Sequence, residues 1–145
     1  MEYKKDIRTK NLTLRDIHVG DWVQVWSEAT ERYSPPLKIT SIHDDGTIYL
    51  VLSDEERLTP WEEDIKNVDA LPITKDLLKG FGFDLSELKE CSDVYYKGTY
   101  IGHLHTVNNS ICLQVYGGIC LFMHELIQHN YYRFNLTANL EWKGV

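Results

Sequence analysis

Alternation of apolar and polar positions near the start of the chain predicts a short β-strand that opens at Val19-Gly20-Asp21-Trp22. Val23 and Val25 fall on one face of this strand, and Trp22 and Trp26 fall on the other. The first half of the chain is therefore expected to be built around a small antiparallel sheet.

Two further alternating runs, residues 37–43 and 47–52, flank Asp44-Asp45-Gly46. Asp-Gly is a strong hairpin signal because both central positions of a type I′ turn need a positive φ. With that turn, Ile39 is expected to face Leu52. Several short, curved strands in about 40 residues predict a small SH3-like barrel.

Helix-start signals follow these strands. Thr59-Pro60-Trp61-Glu62 has the form of a capping box and predicts one short helix. Thr74 is the N-cap of a second predicted helix, which ends in the positive-φ positions Gly80 and Gly82. The acidic stretch at residues 84–93 is predicted to be a connection.

The last third of the chain combines a hairpin pattern with a helical one. Residues 95–106 and 110–116 predict two strands joined by a turn at Asn108-Asn109. From about Leu121 to Phe134 the apolar spacing becomes helical. The predicted fold is α+β: a small curved N-terminal antiparallel sheet (an SH3-like barrel), short helices in the middle, and a C-terminal β-hairpin followed by an amphipathic helix.

A length of 145 residues fits one domain. We therefore predict a single domain over residues 1–145. Its expected parts are a loose end at 1–10, the SH3-like β part at 17–70, the short helix and acidic connection at 71–93, and the hairpin with the C-terminal helix at 94–145.

Charge is distributed unevenly along the chain. The net charge is −7, and residues 54–93 alone contain twelve acidic and five basic residues. Such a segment repels a phosphate backbone, so binding to nucleic acid is disfavoured, and it suits either a solvated surface or a basic partner.

Compartment signals point to the cytoplasm. No apolar run approaches the roughly 18 residues that span a bilayer, and the N-terminus lacks the apolar core of a signal peptide. The three cysteines are an odd number without CxxC spacing, which argues against a disulfide framework. A membrane role is not expected.

The strongest chemical constellation is His103-Leu104-His105. In a strand these two imidazoles project from one face, and the predicted hairpin places Cys112 opposite His105. His103, His105 and Cys112 could hold zinc if a fourth ligand were supplied. The alternative is that these residues lie on the partly solvent-exposed face of an ordinary hairpin. No cofactor other than zinc is predicted.

A second pair, Cys120 and His124, lies four residues apart in the predicted C-terminal helix. This spacing suits a nucleophile and its base, but no Asn or Asp is placed to orient the imidazole. A buried structural thiol is the favoured interpretation. Glycine-rich phosphate loops and basic runs with aromatics are absent from the sequence, so no catalytic residue is assigned.

Trp22, Trp26 and Tyr49 form a candidate interaction surface. Tryptophan is enriched at binding hot spots, so exposed indoles here would mark a protein-binding site. The alternative is that the indoles belong to the core.

Three motifs carry a resemblance: Ile17-His18-Val19-Gly20-Asp21-Trp22-Val23, Leu71-Pro72-Ile73-Thr74-Lys75-Asp76-Leu77-Leu78 with Gly82-Phe83, and Met123-His124-Glu125-Leu126-Ile127-Gln128. In this order they resemble small uncharacterised proteins of Bacteroidetes prophages and other mobile elements. The resemblance implies a phage or mobile-element context, and it assigns no activity and no residue role.

Three hypotheses of function follow. The first is a non-enzymatic accessory protein that acts through protein–protein interaction. The alternative is an SH3-like nucleic-acid-binding protein, and the third is a metal-dependent enzyme that uses His103, His105 and Cys112. A sheet edge left by the C-terminal hairpin would also allow two copies to pair as a homo-oligomer.

Overall fold

A computed structural model of the chain describes residues 8–53, 59–88, 91–107, 110–133 and 140–144. The chain divides into two compact units, Met1–Leu71 and Pro72–Val145. Each unit has its own sheet, and every strand pair in these ranges joins strands of the same unit. The division does not test the predicted single domain over residues 1–145, which stays a prediction.

The first unit is a curled antiparallel sheet that forms a half-barrel. Its strands are β1 (Trp22–Ser27), β2 (Arg32–Tyr33), β3 (Leu37–Ile42), β4 (Thr47–Val51), β5 (Trp61–Asp64) and β6 (Val68–Asp69), with a 3₁₀ turn at Ile65–Asn67 before β6. The strand order is β2-β1-β3-β4-β5, and β6 returns to pair with β1. Since β1 pairs with β2, β3 and β6 at successive residues, the sheet closes partly on itself.

The register of the β3–β4 hairpin differs from the prediction. Ile39 pairs with Leu50 rather than Leu52, and a bulge follows Ile39. The turn is not type I′, because Gly46 takes a positive φ but Asp45 does not. Asp45 instead uses its carboxylate to accept a hydrogen bond from the Thr47 N–H at 2.9 Å.

The helix predicted at Thr59-Pro60-Trp61-Glu62 is wrong. Residues 61–64 form β5, in which Trp61 pairs with Leu50 and Glu62 pairs with Tyr49. A capping box stabilises only one end of a helix, and no apolar stripe continues it here. The open side of β4 therefore supplies the more stable set of backbone hydrogen bonds.

Residues 8–10, the described part of the predicted loose end at residues 1–10, make hydrogen bonds to the rest of the first unit. The Arg8 side chain donates to Asp69, and the Ala70 N–H donates to the Lys10 carbonyl at 2.8 Å. Leu12 beyond it is buried in the core. Residues 1–7 lie outside the described residues.

The second unit is an antiparallel meander with two α-helices. Its elements are α1 (Lys75–Gly80), β7 (Phe83–Glu87), β8 (Cys91–Tyr96), β9 (Thr99–Val107), β10 (Ser110–Val115), β11 (Gly118–Cys120) and α2 (Met123–Arg133). The strand order β11-β10-β9-β8-β7 joins only neighbours in sequence. The acidic stretch predicted as a connection is thus mostly sheet, because Phe83 and Leu85 pair with Tyr96 and Val94.

Helix α1 begins as predicted. The Thr74 hydroxyl accepts a hydrogen bond from the Leu77 N–H at 3.1 Å, which satisfies one of the free donors of the first turn. Gly82 follows the helix with a φ of +90°. At the start of α2, the Glu125 carboxylate accepts from the N–H groups of Leu121 and Phe122.

One face of the second sheet is buried and carries the core of this unit. Its fully buried side chains include Leu78, Val94, Leu113, Met123 and Leu126. The described chain is mostly β with two α-helices, which agrees with the predicted α+β class. Neither helix, within the described residues, is long and apolar enough to cross a membrane.

Candidate functional site

The other face of the second sheet carries the chemistry predicted from His103-Leu104-His105. Strand pairing places Cys91, His105 and Cys112 in one row across β8, β9 and β10. Asp93, His103 and Gln114 form the next row. Because residues directly opposite each other project from the same side of a sheet, these side chains share one face, which we call the open face. The predicted pairings of His105 with Cys112 and of His103 with Gln114 are confirmed.

His103 lies beside a carboxylate. Its Nδ1 atom is 2.6 Å from Asp93 Oδ1, and half of its side chain is exposed. The Tyr100 ring meets the imidazole edge-on, with 5.6 Å between ring centroids. The two partners hold the ring, and its protonated form makes an ion pair with Asp93.

His105 has a different partner. Its Nε2 atom is 3.6 Å from the Cys112 sulfur, which is a hydrogen-bonding distance for a thiol. Cys112 is buried, whereas Cys91, on the other side of His105, is half-buried. The imidazole thus separates the two thiols in the row.

The structure does not bring His103, His105 and Cys112 together as a metal site, and zinc binding stays a prediction. No group of three His, Cys, Asp or Glu side chains in the described part of the chain is arranged to hold a metal ion. His103 is directed to Asp93 and His105 to Cys112, so the three predicted ligands do not converge. A shared sheet face is necessary for such a site but does not by itself set the ligand distances.

Trp22 and Trp26 do not form the predicted interaction surface, because they are only 1% and 4% exposed. Every residue from Trp22 to Trp26 is buried, so neither face of this part of β1 is exposed to solvent. The Trp26 ring contacts Tyr33 edge-on, with 4.9 Å between centroids, and the Arg8 guanidinium lies 5.9 Å from its centroid. The interpretation of both indoles as core residues is the correct one.

Tyr49, the third residue of that prediction, is half-buried. Its hydroxyl donates to Glu62 Oε1 at 3.3 Å, and the negative charge of Glu62 raises the pKa of Tyr49. The Tyr49 hydroxyl therefore contacts an acidic residue of β5.

Four apolar side chains on β9, on β11 and beside β11 in the chain are exposed, and the sequence analysis identified neither Ile119 nor Leu121 among them. Tyr116 is 71% exposed and Ile119 is 60% exposed, and Tyr100 and Leu121 are also exposed. Ile119 pairs with Gln114, which places it on the open face. The available signal was Gly117-Gly118, which ends one alternating run and begins another short strand.

Cys120 lies on β11 and not on the C-terminal helix, so the predicted helical spacing to His124 does not apply. It pairs with Leu113 on the buried face. Burial raises the pKa of its thiol to about 12, and the charge of Glu125 adds to this shift. Cys120 is therefore a structural thiol, as the favoured interpretation predicted.

A pocket of about 240 Å³ opens at the end of the sheet beside His105. Two charged side chains of its lining are paired: Lys75 Nζ is 3.1 Å from Glu87 Oε2, and the buried Ser92 hydroxyl donates to the same oxygen at 3.1 Å. The Lys75 interaction and the Ser92 hydrogen bond lower the pKa of Glu87. We assign no reaction to a pocket whose charged groups satisfy each other.

Comparison with protein-family models, with curated proteins and with solved structures finds no match for this chain.

Proposed function

We propose that this protein is a non-enzymatic accessory protein that binds another protein through the open face of its second sheet. The observation that carries the proposal is the exposure of Tyr100, Tyr116, Ile119 and Leu121, of which Ile119 pairs with Gln114 on that face. Adjacent exposed aromatic and aliphatic side chains on a rigid sheet are typical of binding surfaces.

The composition around these residues supports protein rather than solvent as their neighbour. Residues 94–145 contain three basic and two acidic residues, so the surface near the turn is close to neutral. Tyrosine adds a large contact area at a low cost in side-chain entropy. Tyr116 is the expected hot spot because it is the most exposed of the four.

Site-specific photocrosslinking tests this proposal. A benzophenone amino acid at position 119, in protein expressed in its native host, is expected to give one defined adduct that competes with unlabelled protein. The recovered partner should bind Tyr116→Ala about tenfold to a hundredfold more weakly than the wild type. The matched control places the same group at exposed position 28 in the first unit. No adduct from position 119, or the same adduct from both positions, would refute the proposal.

The phage or mobile-element context and the cytoplasmic location belong to the same proposal. The motif resemblance supports the phage or mobile-element context. The odd number of cysteines supports the cytoplasmic location. The neighbouring genes test the context directly, since a gene flanked by host metabolic genes in several genomes would contradict it.

We also propose that the first unit is an SH3-like barrel, and that a β-hairpin with an amphipathic helix is the C-terminal arrangement of the second. Support for the barrel comes from the return of β6 to β1 directly after the 3₁₀ turn. Support for the C-terminal arrangement comes from the β9–β10 pairing followed by α2.

Nucleic-acid binding is the alternative that the curled sheet favours, because small barrels commonly bind single strands. The net charge of −7 opposes it. Fluorescence anisotropy with a labelled single-stranded oligonucleotide at physiological ionic strength decides between them, and salt-sensitive binding there would replace the protein-binding proposal.

A further inference from the structure

Three of the four exposed side chains of the proposed binding surface lie close together in the chain. They are Tyr116, Ile119 and Leu121, and they belong to residues 116–122, which we call the β11 segment. Strand β11 has only three residues and is an edge of the second sheet. Because an edge strand pairs with the sheet on one side only, its order depends on its other contacts. The homo-oligomer predicted through this edge stays a prediction.

The loop that opens the β11 segment has an unfavourable backbone for its length. Val115 pairs with Gly118, so the loop consists of two residues, Tyr116 and Gly117. Gly117 has a φ of +84°, whereas Tyr116 does not take a positive φ. The favoured two-residue hairpin turns, types I′ and II′, both need a positive φ at the first loop residue, because only then does the turn match the twist of the strands.

The β8–β9 loop of the same sheet shows the favoured alternative. Its two residues, Lys97 and Gly98, both take a positive φ, of 49° and 85°. This is the pattern of a type I′ turn, which holds its strands together without outside help. The Tyr116–Gly117 loop lacks this local support, so a contact from outside the hairpin has more to contribute there.

Helix α2 supplies such a contact. The His129 Nε2 atom is 2.8 Å from the Tyr116 carbonyl oxygen. A Cβ added to Gly117 would lie 3.8 Å from His129 Cε1, and one added to Gly118 would lie 4.0 Å from it, so the ring rests against the loop. Because a carbonyl oxygen only accepts hydrogen bonds, Nε2 carries the proton and donates it to the loop.

The other end of the β11 segment is held from the same helix. Glu125 Oε1 accepts from the N–H groups of Leu121 and Phe122 at 2.8 and 3.0 Å. Glu125 and His129 are four residues apart, so they lie on one face of α2. The Ile73 N–H also donates to the Leu121 carbonyl at 3.0 Å, so backbone contacts support this end. His129 acts at the opposite end, where the loop backbone is less favourable.

We propose that His129 is a positioning residue of the binding surface. It holds the Tyr116–Gly117 loop in one conformation, so Tyr116 is presented to a partner already ordered, while Glu125 fixes the far end of the segment. Such preorganisation increases affinity because the loop does not have to be ordered during binding. The inference rests on the proposed function in naming this surface a binding site, and it adds how the fold prepares that site.

Two substitutions at position 129 separate the hydrogen bond from the bulk of the ring. Glutamine and leucine are both good helix formers, so neither should disturb α2. His129→Gln keeps an N–H donor, whereas His129→Leu keeps only apolar bulk. His18→Leu, which removes an exposed imidazole from the first unit, is the control.

NMR of the free protein tests whether His129 holds the loop. Backbone order parameters at Gly117 and Gly118 should be about 0.85 in the wild type and in His129→Gln, and below about 0.6 in His129→Leu. Those at Gly98 should be the same in all variants. Long-range nitrogen spectra should show the Nε2–H tautomer in the neutral His129 ring. Equal order parameters at Gly117 in the wild type and His129→Leu, or an Nδ1–H tautomer, would overturn the inference.

Binding kinetics test whether this order serves recognition. For the partner captured from position 119, His129→Leu should raise the dissociation constant about tenfold, because only a fraction of the molecules then has the competent loop. The change should lie in the association rate, since dissociation starts from the same bound conformation, and His129→Gln should stay within about twofold of the wild type. Unchanged affinity, or faster dissociation alone, would refute the positioning role and leave the proposed function intact. If position 119 captures no partner, the proposed function fails, and the order parameters still decide whether His129 holds the loop.

Discussion

Asp69 illustrates how one buried side chain anchors a segment distant in sequence. Its carboxylate is fully buried and accepts hydrogen bonds from Arg8 Nη2 at 2.6 Å and from the Tyr33 hydroxyl at 2.6 Å. The Asn11 amide donates to it as well. The hydrogen bond to Asp69 raises the pKa of Arg8, and burial together with Asp69 raises the pKa of Tyr33. These contacts bind the N-terminal segment to β6.

Asp69→Asn removes the charge that Arg8 and Tyr33 share. We expect a loss of about 2 kcal/mol in the free energy of unfolding, since breaking charged, buried hydrogen bonds costs more than breaking neutral ones. Urea titration measures the loss, with Glu28→Gln as the exposed control. A change equal to that of the control would show that the network does not stabilise the fold.

Cys120 makes a prediction about pH. Its thiol has a pKa raised from 9.0 to about 12, so the unfolded chain releases this proton at a lower pH than the folded chain does. The stability contributed by the neutral thiol is therefore complete below pH 9 and is lost as pH rises toward 12. Cys120→Ala should be less stable than the wild type at pH 8, and its stability should fall less steeply between pH 9 and pH 11. Parallel urea-denaturation curves for the two proteins across that range would contradict this.

At the scale of elements, local signals were reliable where nothing competed with them. The Thr74 cap set the start of α1, and residue alternation set the β9–β10 register. The capping box at residues 59–62 failed because the open side of β4 offered a strand partner, which no local pattern reveals. The shared face of His103 and His105 was predictable because it depends only on the two-residue period of a strand.

Burial was the part of the site that sequence patterns could not supply. Alternation places Trp22 and Trp26 on one side of β1, but whether that side is wet depends on tertiary packing, and here both faces are covered. The exposure of Tyr116 and Ile119 depends equally on β11 being a short edge strand. The exposure of these side chains therefore depends on tertiary packing, whereas the shared face of His103 and His105 follows from the strand period alone.

Gly80 in α1 gives a prediction whose sign depends on one neighbour. A Cβ at this position would overlap the Trp142 ring, which also packs edge-on against Phe81. Gly80→Ala should destabilise the wild type by about 1 kcal/mol, because the overlap outweighs the gain in helix propensity. In a Trp142→Ala background the same change should stabilise by up to about 1 kcal/mol. Urea titration of the four proteins measures both, and equal signs in the two backgrounds would refute the packing account.

At the scale of the whole molecule, the two units differ in charge and in the surfaces they present. The excess negative charge lies in residues 54–93, which span the end of the first unit and the start of the second. Residues 94–145, which include Tyr116 and are close to neutral, follow this segment in the sequence. Salt is therefore expected to have little effect on contacts at the open face, which depend on apolar burial.

Gly102 on β9 tests how far the two units unfold independently. A Cβ there would overlap the backbone carbonyl of Gln114 on β10, so the two strands would have to separate. Gly102→Ala should destabilise the second unit by about 2 kcal/mol, which exceeds the entropy gained by removing a strand glycine. Because the described strand pairs all lie within one unit or the other, we expect amide exchange to accelerate in residues 72–145 and to stay unchanged at buried β1 and β4 amides. Equal acceleration in both units would instead support the single cooperative domain predicted from chain length, because a shared transition transmits a local loss to every core amide.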